Sequence, residues 1–319
     1  MENWTQIFVT EFIFTGFHIT RGSGIMISLL LVLMYVSTVA SNLIIIVLVW
    51  IDHRLHSPMY FFLCNLSFLG IWFTSTIVPK LLSSFLLDNS ISITGCRLQC
   101  FFYFFLGTTE YILLPVMSFD RYVAICNPLR YAVIMSSRVC LGLALVAWVG
   151  GFVSVFSPYF MILRLSFCRS NTINHFFCDA ASLIHLSCTD TTLLDLMVFV
   201  TASVVLISSF LLIVVSYVYI ISSILAISSA EGRQKAFSTC TSHITVVTIA
   251  YGTALFLYAK PAKTDSFNLN KTMALLTSVV TPLLNPFIYT LRNKQVKEAF
   301  VDAVRKSRLS QGLEKDWDS

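Results

Sequence analysis

Charge is distributed unevenly along this chain. The stretches 22–51, 55–79, 139–163, 196–230, 236–259 and 272–291 contain no Asp, Glu, Lys or Arg. Each is at least as long as the ~20 apolar residues that an α-helix needs to cross a bilayer. A further stretch, 98–119, is apolar and aromatic except for Glu110. A carboxyl group in mid-span is kept only where it faces the bundle interior, because turning it toward lipid is costly. The pattern therefore predicts seven membrane-crossing helices and an all-α membrane protein. Residues 1–23 form an outer tail, 24–291 the seven-helix bundle and 292–319 an inner tail. Within that last segment Val296, Phe300, Val301 and Val304 stand among basic residues, the spacing of a short amphipathic helix lying on the membrane surface.

Composition agrees with this pattern. Of the 319 residues 56% are hydrophobic and 12% charged, about half the charged share of a soluble domain. The net charge of +5 is scattered between apolar runs and forms no basic, aromatic-interleaved surface, which excludes nucleic acid as a partner. No cleavable leader is expected: Glu2 and Glu11 lie where a basic n-region and a small-residue cleavage site are required. With the N-terminus outside, most of the 21 lysines and arginines fall on the inner side, among them Arg54, Arg121, Arg130, Arg138, Arg233, Lys235 and the run from Arg292 to Lys315. The sequon Asn3-Trp4-Thr5 agrees with that orientation and makes Asn3 a glycosylation candidate.

Helical spacing links the two sides of the membrane. Tyr103, Gly107, Glu110, Leu114, Met117 and Arg121 follow one another at steps of three or four and share a face of the third span. His243, Val247, Tyr251, Ala254 and Tyr258 do the same on the sixth. The outer halves of these stripes predict a pocket, with Tyr103, Phe104, Gly107 and Thr108 on the third span and Thr201 and Val205 on the fifth. Tyr251, Ala254, Leu255 and Tyr258 belong to the sixth span and Ser278 to the seventh. This lining is mostly apolar, with a few hydroxyls.

Four longer strings stand at the membrane edges and in the last span. They are Leu55-His56-Ser57-Pro58-Met59-Tyr60-Phe61-Phe62, Met117-Ser118-Phe119-Asp120-Arg121-Tyr122-Val123-Ala124-Ile125-Cys126, Lys235-Ala236-Phe237-Ser238-Thr239-Cys240-Thr241-Ser242-His243 and Pro282-Leu283-Leu284-Asn285-Pro286-Phe287-Ile288-Tyr289. Each closely resembles a signature of vertebrate olfactory receptors, within the rhodopsin-like G-protein-coupled receptor superfamily. The resemblance runs from about Glu11 to Val304. It implies an odorant receptor of the plasma membrane of olfactory sensory neuron cilia, with its N-terminus outside. Its partners would be a small volatile odorant, membrane lipid and a stimulatory olfactory-type G protein that raises cyclic AMP. The same resemblance makes Asp120, Arg121, Tyr122, Tyr217, His243, Asn285, Pro286 and Tyr289 the switch that opens toward the G protein, with Tyr289 meeting Tyr217 in the active state.

Two departures from the family pattern matter. Gly70 stands where the family usually has an acid, which leaves Glu110 without an acidic partner and disfavours a sodium site. Ser41 replaces the usual glycine before Asn42 and is small enough to be tolerated.

Of nine cysteines, Cys96, Cys168, Cys178 and Cys188 fall on the outer, oxidising side, and spacing alone leaves three pairings open. The family resemblance implies Cys96–Cys178 and Cys168–Cys188. The first bond would draw Asn174–Asp179 over the bundle mouth as a lid above Tyr103 and Phe104. His175 is a lone loop histidine, read as solvated, and no metal or cofactor is expected. No nucleophile triad, phosphate loop or metal-ligand spacing points to an enzyme. The absence of repeated halves and of a polar path argues against a transporter. Amine receptors carry an acid at the depth of Tyr103; its absence here points to neutral ligands.

Overall fold

Charge-free stretches and helices coincide, but the helices run longer. The computed structural model describes residues 9–16, 21–168, 170–258, 266–290 and 295–305. Within them lie α1 (Arg21–Ile51), α2 (Pro58–Leu86), α3 (Ile93–Cys126), α4 (Tyr131–Ile134) and α5 (Ser137–Leu163). There follow α6 (Ala180–Leu186), α7 (Thr192–Ala226), α8 (Ala230–Tyr258), α9 (Ser266–Leu275) and α10 (Thr281–Thr290). The last two are joined by a π-helical turn, Leu276–Val280, into the final span. At 34 residues α3 measures ~50 Å, well beyond a ~30 Å hydrocarbon core, so its charged ends stand outside the apolar layer.

Among the described residues six helical segments are long and apolar enough to cross a membrane: Gly22–Ile51, Pro58–Leu86, Ile93–Cys126, Ser137–Leu163, Thr192–Ala226 and Lys271–Tyr289. The seventh helix of the bundle is α8, 29 residues long. Its first turns carry Glu231, Arg233 and Lys235, which lower its apolar average. The chain is a multi-pass membrane protein. Many apolar side chains point away from the bundle, Leu29, Leu145, Val204 and Leu211 among them. That is the inversion expected of a surface facing lipid rather than water.

Close approach of α3 and α5 depends on one glycine. A Cβ on Gly151 would collide with the Thr109 side chain and come within 3.1 Å of its Cα. Ala144, Ala147 and Val155 continue the same buried stripe of α5. Gly70 lies against the last span: an added Cβ would meet Pro282 at 3.5 Å and the Asn42 amide at 3.8 Å. Asn42 donates from Nδ2 to the Thr38 and Pro282 carbonyls, tying α1 to the final span. Ser41 donates to the Ser37 and Thr38 carbonyls and so meets its own polar need.

The sequence pattern predicts no strand, yet three are present among the described residues. β1 (Glu11–Phe14) pairs antiparallel with β2 (Ser90–Ser92) and parallel with β3 (Thr172–Ile173). Phe12 and Phe14 are buried against Cys96, Ile162, Ile173 and Leu183. The end of the outer tail is thus a structural part of the bundle cap. At the opposite end, residues 295–305 are helical. Val296 and Ala299 are buried against the bundle, whereas Phe300, Val301 and Val304 remain exposed. Tyr60 donates to Gln295 Oε1 at 2.9 Å, and Arg54 reaches Asp302 at 2.8 Å, which anchor this helix beside α2.

Candidate functional site

The cap is covalently fixed. Cys96 bonds Cys178 and Cys168 bonds Cys188. Cys178 N–H donates to Gln99 Oε1, and Gln99 Nε2 donates to the Thr76 carbonyl, so one side chain holds the lid to two helices. Phe177 lies over Tyr103 with ring centroids 4.5 Å apart. His175 is not solvated as its loop position suggests: it is buried between Phe176 and Phe177. Burial holds its imidazolium below the ordinary range; Asp179 opposes this and Lys271 adds to it. Lys271, itself buried, donates to the Gly16 carbonyl at 2.5 Å and to Asn174 Oδ1 at 2.7 Å. It joins the outer tail, the lid and the last span at one point.

Beneath the lid is a cavity of about 180 Å³. Tyr103, Phe104, Gly107, Thr108, Thr201, Val205 and Ala254 line it. Three other residues expected there lie elsewhere. Leu255 is 69% exposed on the outer face of α8, because one residue past Ala254 turns the helix by ~100°. Tyr251 lies against Tyr111 and Phe210 and donates to Ser209 Oγ at 2.6 Å. Ser278 sits in the π-helical turn, fully buried, and donates to the Ala274 carbonyl. The side chain of Tyr258 lies outside the described residues, as do Asn3 and Lys260.

The cavity also takes residues that helical stripes on the third and sixth spans did not point to. Ser154, Val155, Pro158 and Tyr159 come from α5, Phe73 from α2, Ala180 from the lid, Thr277 from within the π-helical turn and Thr281 from just after it. Pro158 inside α5 was a visible signal of irregular backbone. The wall contributed by α5 follows from the Gly151 contact, which sequence periodicity does not register. Glu110 lines the same cavity, at its inward end.

A second cluster lies one to three turns further in. Arg121 pairs with Asp120 at 2.7 Å, and Tyr131 donates to the other Asp120 oxygen at 2.7 Å. Both charged residues are buried, so the pair needs these bonds to offset its desolvation. Tyr217 donates to His243 Nδ1 at 2.8 Å, and His243 Nε2 donates to the Leu114 carbonyl at 3.0 Å. That carbonyl can only accept, which assigns the ring proton to Nε2 and leaves Nδ1 as acceptor. One imidazole thereby ties α8 to α3 and α7. Asn285 and Pro286 are buried inside α10, and Tyr289 is buried beside Arg121. The Tyr289 hydroxyl and Asn285 Oδ1 have no hydrogen-bond partner among the described residues. Tyr122 packs against Tyr219 of α7, with ring centroids 5.9 Å apart. α3, α7, α8 and α10 each run from the apolar, lidded cavity to the buried polar cluster.

Known proteins share this sequence along almost its whole length. The family model described as olfactory receptor matches residues 31–307. Human olfactory receptor 6X1 is 48% identical over 305 residues, covering 95% of this chain and 97% of its own. Human olfactory receptor 6J1 is 50% identical over 325 residues, covering 97% and 93%, and human olfactory receptor 6F1 is 50% identical over 302, covering 94% and 98%.

Proposed function

The chain belongs to the olfactory receptor family, and from that premise we propose that it binds a small, neutral, volatile and partly apolar odorant in the outer half of its bundle. The bound state activates a stimulatory olfactory-type G protein and raises cyclic AMP. Olfactory receptors take odorants and G proteins as partners and are not enzymes. The N-terminus faces outward and the inner tail lies in the cytoplasm, in the ciliary membrane of olfactory neurons, with Asn3 glycosylated.

The observation that carries this reading is the lidded cavity and its composition. Its lining is mostly apolar, with Phe, Val and Ala side chains foremost, beside eight hydroxyl-bearing residues and the Glu110 carboxyl group. Such a site gains affinity from buried apolar area at about 25 cal/mol per Å². It disfavours an unpaired ion, whose desolvation no hydroxyl offsets. Ligand stabilises the state in which α8 swings away from α3, which requires the His243 bonds to break. Arg121, released from Asp120, and Tyr289, meeting Tyr217, then complete the inner face that the G protein reads.

A cyclic AMP screen of chemically diverse volatiles on cells expressing the chain tests this. Neutral, partly apolar agonists of micromolar potency are expected. A panel in which only carboxylic acids activate, with the response lost in Lys260→Met, overturns the neutral-ligand reading.

A further inference from the structure

The deep end of the cavity differs chemically from its walls. Helix direction sets depth: Glu110 lies two turns inward of Tyr103 on α3, and Thr281 lies one turn inward of Thr277 on the last span. All of them line one continuous space. The hydroxyl hydrogens of the two threonines are committed to their own helix. Thr277 donates to the Met273 carbonyl at 3.0 Å and Thr281 to the Leu276 carbonyl at 3.3 Å. What each turns to the cavity is oxygen lone pairs. Glu110 makes no hydrogen bond or ion pair with any described residue, and Gly70 of α2, which packs against Pro282 of the last span, has no side chain to offer it.

We propose that this floor is a subsite for a hydrogen-bond-donating head group, a hydroxyl carried on an apolar body. The inference rests on the proposed odorant cavity and names the ligand class that fits it. A carboxyl group offers acceptor oxygens in either protonation state, whereas it offers a donor only when protonated. A ligand hydroxyl is therefore served in both states. An ether oxygen of the same size is served only by a protonated Glu110; against the carboxylate it brings a second acceptor to a floor of acceptors, which is costly in an apolar cavity. An alkylamine is an ammonium ion at neutral pH and would meet a Glu110 carboxylate as an ion pair, a different chemistry from the neutral hydroxyl. The outer walls then take the ligand's hydrocarbon body, between Phe104, Val155, Val198 and Val205.

The full-length receptor, expressed in cells at matched surface level, decides the matter. The probes are hexanol, octanol and cyclohexanol, each with its methyl ether and parent alkane, and the corresponding amines as a separate arm. The alcohols should reach half-maximal cyclic AMP at about tenfold lower concentration than their ethers. In Glu110→Met that preference should vanish, the alcohols losing potency relative to their ethers. Glu110→Gln, which keeps an acceptor oxygen, should retain much of it. Amines that activate more strongly than the alcohols and lose their response in Glu110→Met show an ion-pair site and overturn the hydroxyl subsite. Alcohols and ethers acting alike on the wild type overturn it. So does Glu110→Met lowering alcohol and ether responses equally, the result of a merely structural role. If Glu110→Met fails to reach the surface, Thr281→Val with Thr277→Val is read instead, and an unchanged alcohol preference there overturns the proposal. If no probe of any class activates the wild type, the cavity reading itself fails, and the subsite with it.

Discussion

The Tyr217 hydroxyl donates to His243 Nδ1 at 2.8 Å while the opposite ring nitrogen donates to the Leu114 carbonyl at 3.0 Å. One side chain of α8 thus holds both α7 and α3, and its two bonds must open for α8 to move outward. Buried hydrogen bonds contribute ~1 kcal/mol each, so losing both shifts a two-state equilibrium by roughly 30-fold. His243→Leu is expected to raise ligand-independent cyclic AMP severalfold at matched surface level. A basal signal no higher than wild type would show that these bonds do not restrain the resting state.

Arg121 lies at the inner end of the α3 stripe, paired with Asp120 and buried. Arg121→Ala is expected to abolish odorant-evoked cyclic AMP while surface expression stays largely intact. An unchanged dose-response at equal surface level contradicts this role.

The disulfides should rank by the chain each encloses. Cys96–Cys178 spans 82 residues and Cys168–Cys188 spans 20. Loop-closure entropy assigns the longer loop ~1 kcal/mol more stabilisation. Cys96→Ser and Cys178→Ser should each impair maturation more than Cys168→Ser. The Cys96→Ser, Cys178→Ser double variant should be no worse than either single. Additive losses in flow-cytometric surface counts mean the two cysteines have different partners.

Glycines in α5 make a paired comparison. Gly151→Ala forces a methyl group into Thr109, whereas a Cβ on Gly142 meets nothing within 4 Å. Overpacking a tight core costs ~1–3 kcal/mol. Gly151→Ala should lower the melting temperature of purified receptor and Gly142→Ala should leave it unchanged. Equal melting temperatures would mean that α3 and α5 can separate freely.

His175 makes the lid sensitive to acid. Burial lowers its folded-state pKa, so the unfolded chain takes up a proton first as pH falls through the ordinary histidine value of ~6.5. The unfolded state then binds more protons, and stability declines below that pH. Thermal melts in detergent should therefore fall more steeply with acid for the wild type than for His175→Asn, with Asp179 and Lys271 present in both. Identical slopes would assign the acid sensitivity to another group.

The seven-helix class, the approximate spans and the motifs around Arg121 and Asn285 were legible in the chain because a membrane is a uniform solvent. It demands charge-free stretches of a set length, and helical periodicity then assigns one interior face to each span. The α3 stripe from Tyr103 to Arg121 is visible on these grounds alone. The π-helical turn at Leu276–Val280 is not, and it carries Ser278 into the core and leaves Thr277 and Thr281 on the cavity. Nor does periodicity reveal that α5 supplies a wall, since the Gly151–Thr109 contact joins residues on different helices. The burial of Phe12 and Phe14 under a small sheet and the enclosure of His175 have the same origin. Each depends on which segments the disulfides and Lys271 bring together. Hydropathy along a chain reports how each residue meets its solvent, whereas a cavity is defined by residues from separate helices meeting one another, and only tertiary packing decides that.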